Sequence, residues 1–145
     1  MRPPLPSPRD VTTPAGWRVS ALHDPFEAHV GPLFEREGDD GTRIFGFIVD
    51  DRHVNAEGEV HEGMMLTFAD AFLGSAANRA AEGSGCVTLS MQASFLKAAR
   101  TGDLIECHTR LERKTRAIIF VSGRLSVGDE DMVTVTSLWK VLGAR

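Results

Sequence analysis

Between Asp51 and Asp70 the chain reads Asp51-Arg52-His53-Val54-Asn55-Ala56-Glu57-Gly58-Glu59-Val60-His61-Glu62-Gly63-Met64-Met65-Leu66-Thr67-Phe68-Ala69-Asp70. It joins a glycine-bearing loop, a histidine at the mouth of a predicted helix, and one carboxylate nine residues further along that helix. The backbone N–H groups of a helix start have no intrahelical acceptor and sit at the positive end of the dipole, so they stabilise a developing negative oxygen. Asp70 falls among Phe68, Ala69, Ala71, Phe72 and Leu73, where an unpaired charge would be expensive, and function is one reason to keep it there. Steps of four, three and four residues put Gly63, Thr67, Asp70 and Gly74 on one small, polar side of the helix, open to a ligand. Each residue also has a plain structural reading. Asp70 could cap a neighbouring loop, and Asn55 and His61 could satisfy loop backbone or the helix start.

These residues need a scaffold, and the apolar pattern supplies one. Asp24-Pro25-Phe26-Glu27-Ala28-His29-Val30 before Gly31-Pro32 carries a cap, a first-turn proline and a glycine stop, which predicts a two-turn helix. Leu33 to Glu37, the turn Gly38-Asp39-Asp40-Gly41, and Arg43 to Val49 read as a hairpin. From His61 to about Ala81 apolar groups fall on nearly every side, as expected of a helix buried all round. Four segments then alternate in twos: Val87 to Phe95, Ile105 to Glu112, Ile119 to Val127 and Val133 to Val141. Short polar turns join them, which predicts an antiparallel meander. The expected architecture is α+β, a curved antiparallel sheet of about six strands wrapped round one long central helix.

The chain has 145 residues, 42% apolar and 25% charged, the composition of one ordinary globular domain. Four of its seven prolines fall within the first eight residues, so residues 1–15 are expected to be a disordered tail and 16–145 the domain. A net charge of −4 argues against a nucleic-acid binder. No apolar run reaches the roughly 18 residues of a membrane span, and the start has no apolar core of a signal peptide. Cys86 and Cys107, without a secretory signal, read as reduced thiols in a cytoplasmic protein. The charge is uneven. Residues 23–62 hold 11 acids and 3 bases, whereas residues 97–124 hold 7 bases and 3 acids.

The string His53-x-Asn55-x-x-Gly58-x-x-His61-x-Gly63, with Asp70 on the following helix, resembles the signature of the hotdog-fold thioesterases, in particular their phenylacetate-pathway (PaaI-like) branch. The resemblance spans roughly residues 24–142, and hairpin, long helix and strands follow in that family's order. It implies an acyl-CoA thioesterase that works as a homodimer or dimer of dimers, with sites at the subunit interface and no cofactor beyond the CoA of its substrate. Asp70 matches the acidic catalyst, as nucleophile or as general base on water. Asn55 matches the asparagine that holds the thioester or the lytic water, and His61 the histidine at the helix mouth. The residue after that histidine, beside Gly63, supplies the N–H that polarises the thioester carbonyl. Thr88, with Ser90 as an alternate, matches a hydroxyl on the strand after the helix. The family usually has His-Gly-Gly here, whereas this chain has His61-Glu62-Gly63. The backbone N–H survives, but Glu62 brings bulk and negative charge.

His53, Thr67 and Ser90 complete the substrate contacts expected near the thioester. The turns carrying Lys97 and Arg100, and Arg113, Lys114 and Arg116, could grip the phosphates of CoA or simply be solvated. Two rivals share the fold. A hydratase or dehydratase would use His53 or His61 with Asp70 to move protons, and a non-catalytic acyl-CoA or aromatic-ligand binder would keep the pocket alone. A metal site from His53, His61 and Asp70 has no compact ligand motif behind it, because the helix lacks the second histidine of a zinc-protease helix.

Overall fold

The computed structural model describes residues 11–21 and 25–144. The proline-rich start and the predicted cap Asp24 lie outside the described residues, apart from residues 11–15. In chain order the elements are β1 (Arg18–Val19), α1 (Pro25–Val30), β2 (Phe34–Glu37), β3 (Arg43–Ile48), α2 (Glu62–Ala80), β4 (Cys86–Phe95), β5 (Leu104–Lys114), β6 (Ile118–Val127) and β7 (Glu130–Val141). Seven strands form one antiparallel sheet, one more than expected, the extra one being the two-residue β1. No helix among the described residues is long and apolar enough to cross a membrane.

The strand order is β1-β2-β3-β5-β6-β7-β4. The predicted four-strand meander is thus corrected: β5, β6 and β7 form it, while β4 crosses to pair with β7 at the far edge and β5 returns to pair with β3. Period-two patterning specifies which face a strand buries, but not which strand lies beside it.

Helix α2, 19 residues and so about 28 Å long, lies in the curl of this sheet. Phe72 stacks on Phe45 with centroids 4.2 Å apart, and Phe68 tilts against Phe47 at 4.4 Å. Burial of each such ring is worth roughly 1.5–3 kcal/mol. Two glycines allow the close approach: a Cβ on Gly74 would stand 3.0 Å from Trp139, and one on Gly123 2.8 Å from Leu73. Trp139 Nε1 donates to Ser137 Oγ, which donates to the Val121 carbonyl, so the polar atoms of this contact are satisfied. Cys86 and Cys107 are free thiols.

Two expectations about faces change. Helix α2 is not buried all round, because Glu62, Gly63, Leu66 and Asp70 are exposed along one side. Strand β4 does not keep its period either. Thr88 opposes Trp139 and Ser90 opposes Leu138, so Leu89 is an extra residue, a β-bulge. Past the bulge Met91 and Ala93 oppose the buried Ser137 and Val135. Thr88 therefore shares the helix-facing side with Met91 and Ala93, which strict alternation places on the opposite side from it.

Candidate active site

The loop before α2 is held by its own side chains. Asn55 Oδ1 accepts the N–H groups of Glu57 and Glu59, each at 3.0 Å, and closes the turn that contains Gly58. Gly58 has φ +76°, the left-handed conformation that a glycine adopts without strain. His53 is buried: its Nδ1 accepts the Asp50 N–H at 3.0 Å and its Nε2 lies 2.8 Å from the Val30 carbonyl. These contacts tie the loop to the end of α1. The expectation of His53 as a substrate contact is therefore corrected, since both ring nitrogens are committed to backbone in the interior.

His61 caps α2, its Nδ1 accepting the Gly63 N–H at 2.8 Å. The Met64 and Met65 N–H groups both point to the His61 carbonyl. Of the first-turn donors, the Glu62 N–H alone has no acceptor among the described residues. It stands at the positive end of the helix dipole. The expected role of Gly63 narrows accordingly, because its N–H is already used and a Cβ there would lie 2.9 Å from His61 Nδ1. The Glu62 side chain is exposed and lines a cavity of about 260 Å³ that Lys97 also lines.

Asp70 is exposed rather than enclosed by apolar neighbours, so burial does not explain it. Its partner is Thr88, whose Oγ1 donates to Asp70 Oδ1 at 2.6 Å across from β4 to α2. The carboxylate lies where two cavities meet, one of about 770 Å³ floored by Leu33, Phe45, Phe72 and Trp139, the other of about 710 Å³ lined by Phe26, Leu66, Thr67 and Met91. Thr67 lines the second but turns its hydroxyl back to the Gly63 carbonyl at 2.9 Å. Gly74 is buried under Trp139, so the small polar stripe is closed at that end.

The remaining expected residues are dispersed. Ser90, two residues beyond Thr88, opposes Leu138 on the outer side of the sheet, in a groove with Gln92 and Phe120. The alternate assignment to Ser90 is thereby corrected, because the bulge turns it away from α2. Lys97 pairs with Glu130 at 2.7 Å and Arg100 with Glu59 at 3.0 Å, both beside the start of α2. Arg113, Lys114 and Arg116 lie at the opposite end of that helix, where Lys114 stands 3.8 Å from Glu82. One chain cannot bring the two basic groups to one phosphate. Among the described residues, no three His, Cys, Asp or Glu side chains cluster to hold a metal ion.

The geometry thus offers two half-sites. Glu62 and Asp70 are eight residues apart, about 12 Å along the helix axis, so the free N–H and the carboxylate of one chain cannot reach the same carbonyl carbon. Residues missed in the sequence line the larger cavity: Arg43 of β3 and Arg79 of α2. A signal existed for one of them, since Arg79 is the sole lysine or arginine in the 19 residues of α2.

Comparison with known proteins identifies the family and the fold. Residues 57–134 match the thioesterase superfamily. A Pseudomonas aeruginosa protein named "Putative esterase PA0474" is 28% identical over 130 residues, 89% of this chain and 97% of its own. Among solved structures, a Ralstonia eutropha protein described as "a putative thioesterase, phenylacetic acid degradation-related protein" superposes with TM-score 0.72 at 27% identity, over 83% of this chain and 92% of that one. The BH2602 protein of Bacillus halodurans, solved with CoA, has the same fold at TM-score 0.74 and 19% identity, over 87% and 83% of the two chains. With its matched span from the loop before α2 into β7, and its sheet wrapped round one long helix, the chain belongs to the thioesterase superfamily and has the hotdog fold.

Proposed function

We propose that the protein hydrolyses an aryl- or medium-chain acyl-CoA to the free acid and CoA, at a site that two copies of the chain share. The observation that carries this reading is the Thr88–Asp70 hydrogen bond at the meeting of two cavities. Thr88 holds one carboxylate oxygen and leaves the other to take a proton from water as the water adds to the thioester carbon, or to attack that carbon and form a mixed anhydride that water then hydrolyses to the acid. The Glu62 N–H of the second copy meets the carbonyl oxygen as it gains charge, and the CoA thiolate departs. Asn55, His53 and His61 act as positioning residues that hold the loop and helix mouth. No cofactor is needed, since CoA arrives with the acyl group.

Edge pairing supplies the second copy. β4 is hydrogen-bonded to β7 alone, and Val87 and Leu89 near its free edge are 45% and 51% exposed beside Thr88. The CoA phosphates are assigned to Arg113, Lys114 and Arg116, because Lys97 and Arg100 are paired with carboxylates at 2.7 and 3.0 Å, whereas Lys114 stands 3.8 Å from Glu82. The free thiols suit a cytoplasmic setting.

The test is a panel of phenylacetyl-, hydroxybenzoyl- and medium-chain acyl-CoAs, followed by thiol release, with light scattering at micromolar protein. Turnover on at least one member by a dimer or larger assembly is expected. Thermal stabilisation by CoA without thiol release would replace hydrolysis by the binding-module reading, which Glu62 beside the free N–H favours. A monomer would refute the shared site.

A further inference from the structure

The larger cavity contains more than the carboxylate at its lip requires. Its floor is apolar, as an acyl group demands, yet Arg43 and Arg79 both line it. They are not equally engaged. Glu35 accepts Arg18 at 3.0 Å and stands 3.7 Å from Arg43, whereas the Arg79 guanidinium has no hydrogen bond or ion pair with any described residue. Partial burial and the nearby Arg43 charge push the Arg79 guanidinium below its usual value, against the pull of Glu35. A last-turn arginine is favoured by the helix dipole wherever it sits round the helix end. The dipole does not explain why it lines a cavity beside a second arginine.

We propose that this cavity takes an acyl group with a carboxylate at the end remote from the thioester, and that Arg79 with Arg43 is its anchor. The inference rests on the thioesterase reading above. Asp70 and Arg79 are nine residues apart, about 14 Å along the axis of α2, so the fitting acyl group is an elongated ω-carboxyacyl chain rather than an acetyl group. Arginine suits this end because its planar fork matches a carboxylate with two parallel hydrogen bonds. The same pair could meet a phosphate of CoA instead, the shared chemistry being an anionic oxygen group. The three acids that line the cavity, Glu27, Glu35 and Asp70, exceed the two arginines by one charge, so the several negative charges of the CoA phosphates are opposed more strongly than a single carboxylate held at Arg79, and the aromatic floor suits an acyl chain.

The experiment compares octanoyl-CoA with octanedioyl-CoA, the acyl group of equal carbon number whose terminal methyl is replaced by a carboxylate, on the wild-type protein and on Arg79→Gln. Because Arg79 is exposed, the substitution leaves the core intact. Wild type is expected to favour octanedioyl-CoA by about tenfold or more in kcat/KM, the scale of a charge-assisted hydrogen bond, and Arg79→Gln to bring the ratio near one. Arg79→Lys, which keeps the charge but not the fork, is expected to fall between. A wild-type ratio near one overturns the proposal while leaving hydrolysis of octanoyl-CoA intact. An Arg79→Gln loss equal on both thioesters and absent on the matching pantetheine thioesters assigns the arginine to a CoA phosphate and likewise overturns it. If neither thioester is cleaved, the thioesterase reading fails, and thermal shifts with the same pair decide the anchor: a larger shift with octanedioyl-CoA that Arg79→Gln abolishes supports it, and equal shifts overturn it.

Discussion

At the mouth of α2 the polar side chains are spent on backbone: His61 on Gly63, Asn55 on Glu57 and Glu59, His53 on Asp50 and Val30. Among its main-chain donors, the mouth leaves to a ligand the N–H of Glu62. Halfway along the same helix the arrangement is reversed. The backbone is fully engaged in the helix, and the side chain of Asp70, held by Thr88 from the next strand, is the group on offer. In the proposed reaction the mouth receives the carbonyl oxygen and the middle supplies base or nucleophile. Lying about 12 Å apart on one rod, they would meet one thioester only if two copies paired as proposed.

The sharpest way to break this contrast is Asp70→Asn, which keeps shape and removes the charge. A loss of about 10²–10⁴ in kcat is expected with the circular dichroism unchanged; activity within a factor of two of wild type would end the role of the helix middle. Glu62→Pro tests the mouth in isolation. The position is the first of the helix, where proline is well tolerated, and His61 before it is already extended at ψ 134°. Fold and melting temperature should therefore survive while the N–H disappears, and kcat should drop about 10²–10³-fold as for a lost oxyanion donor. Glu62→Gly, which retains the N–H, should stay close to wild type.

Smaller effects refine the contrast. Thr88→Val should lower kcat by about tenfold, with Thr88→Ser restoring most of it, since a single hydrogen bond to a charged group is removed. Asn55→Ala should instead lower stability by about 1–3 kcal/mol in urea titration, because two N–H groups lose their acceptor. The smallest effect concerns Asp50. Burial raises its carboxyl, but side-chain and backbone donation from Arg52 outweighs this and holds it below the usual 3.8. A depressed native value gives stabilisation that is present above the unfolded value and lost as pH falls through the native one. The gap in melting temperature between wild type and Asp50→Asn should accordingly narrow from pH 7 to pH 3.

The helix and strand segments, the hairpin and the family signature were all legible in the residues, because each depends on local period or on a short motif. The neighbour of β4 was not, since pairing across the sheet is decided by how the whole sheet closes. Nor was the bulge: Val87, Leu89, Met91 and Ala93 alternate in the sequence as a regular strand does, and the interruption appears only in the register against β7. In the site, the sequence marked His53, Asn55 and His61 by type and spacing. Residue type does not say whether a ring nitrogen or an amide oxygen is already taken by backbone. The exposure of Asp70 was hidden for a related reason, since apolar residues on the open side of α2, such as Leu66, look like core until the sheet is seen not to cover them.

The bulge at Leu89 has a consequence for how the site could be lost. Thr88 meets Asp70 because one supernumerary residue resets the phase of the strand behind it. Deletion of Leu89 would leave Asp70, Thr88, His61 and Asn55 all present in the sequence, yet either Thr88 or the core-facing Met91 would then point to the wrong side of the sheet. An inventory of candidate site residues would read such a chain as intact, whereas the hydroxyl's aim is encoded in a count of residues.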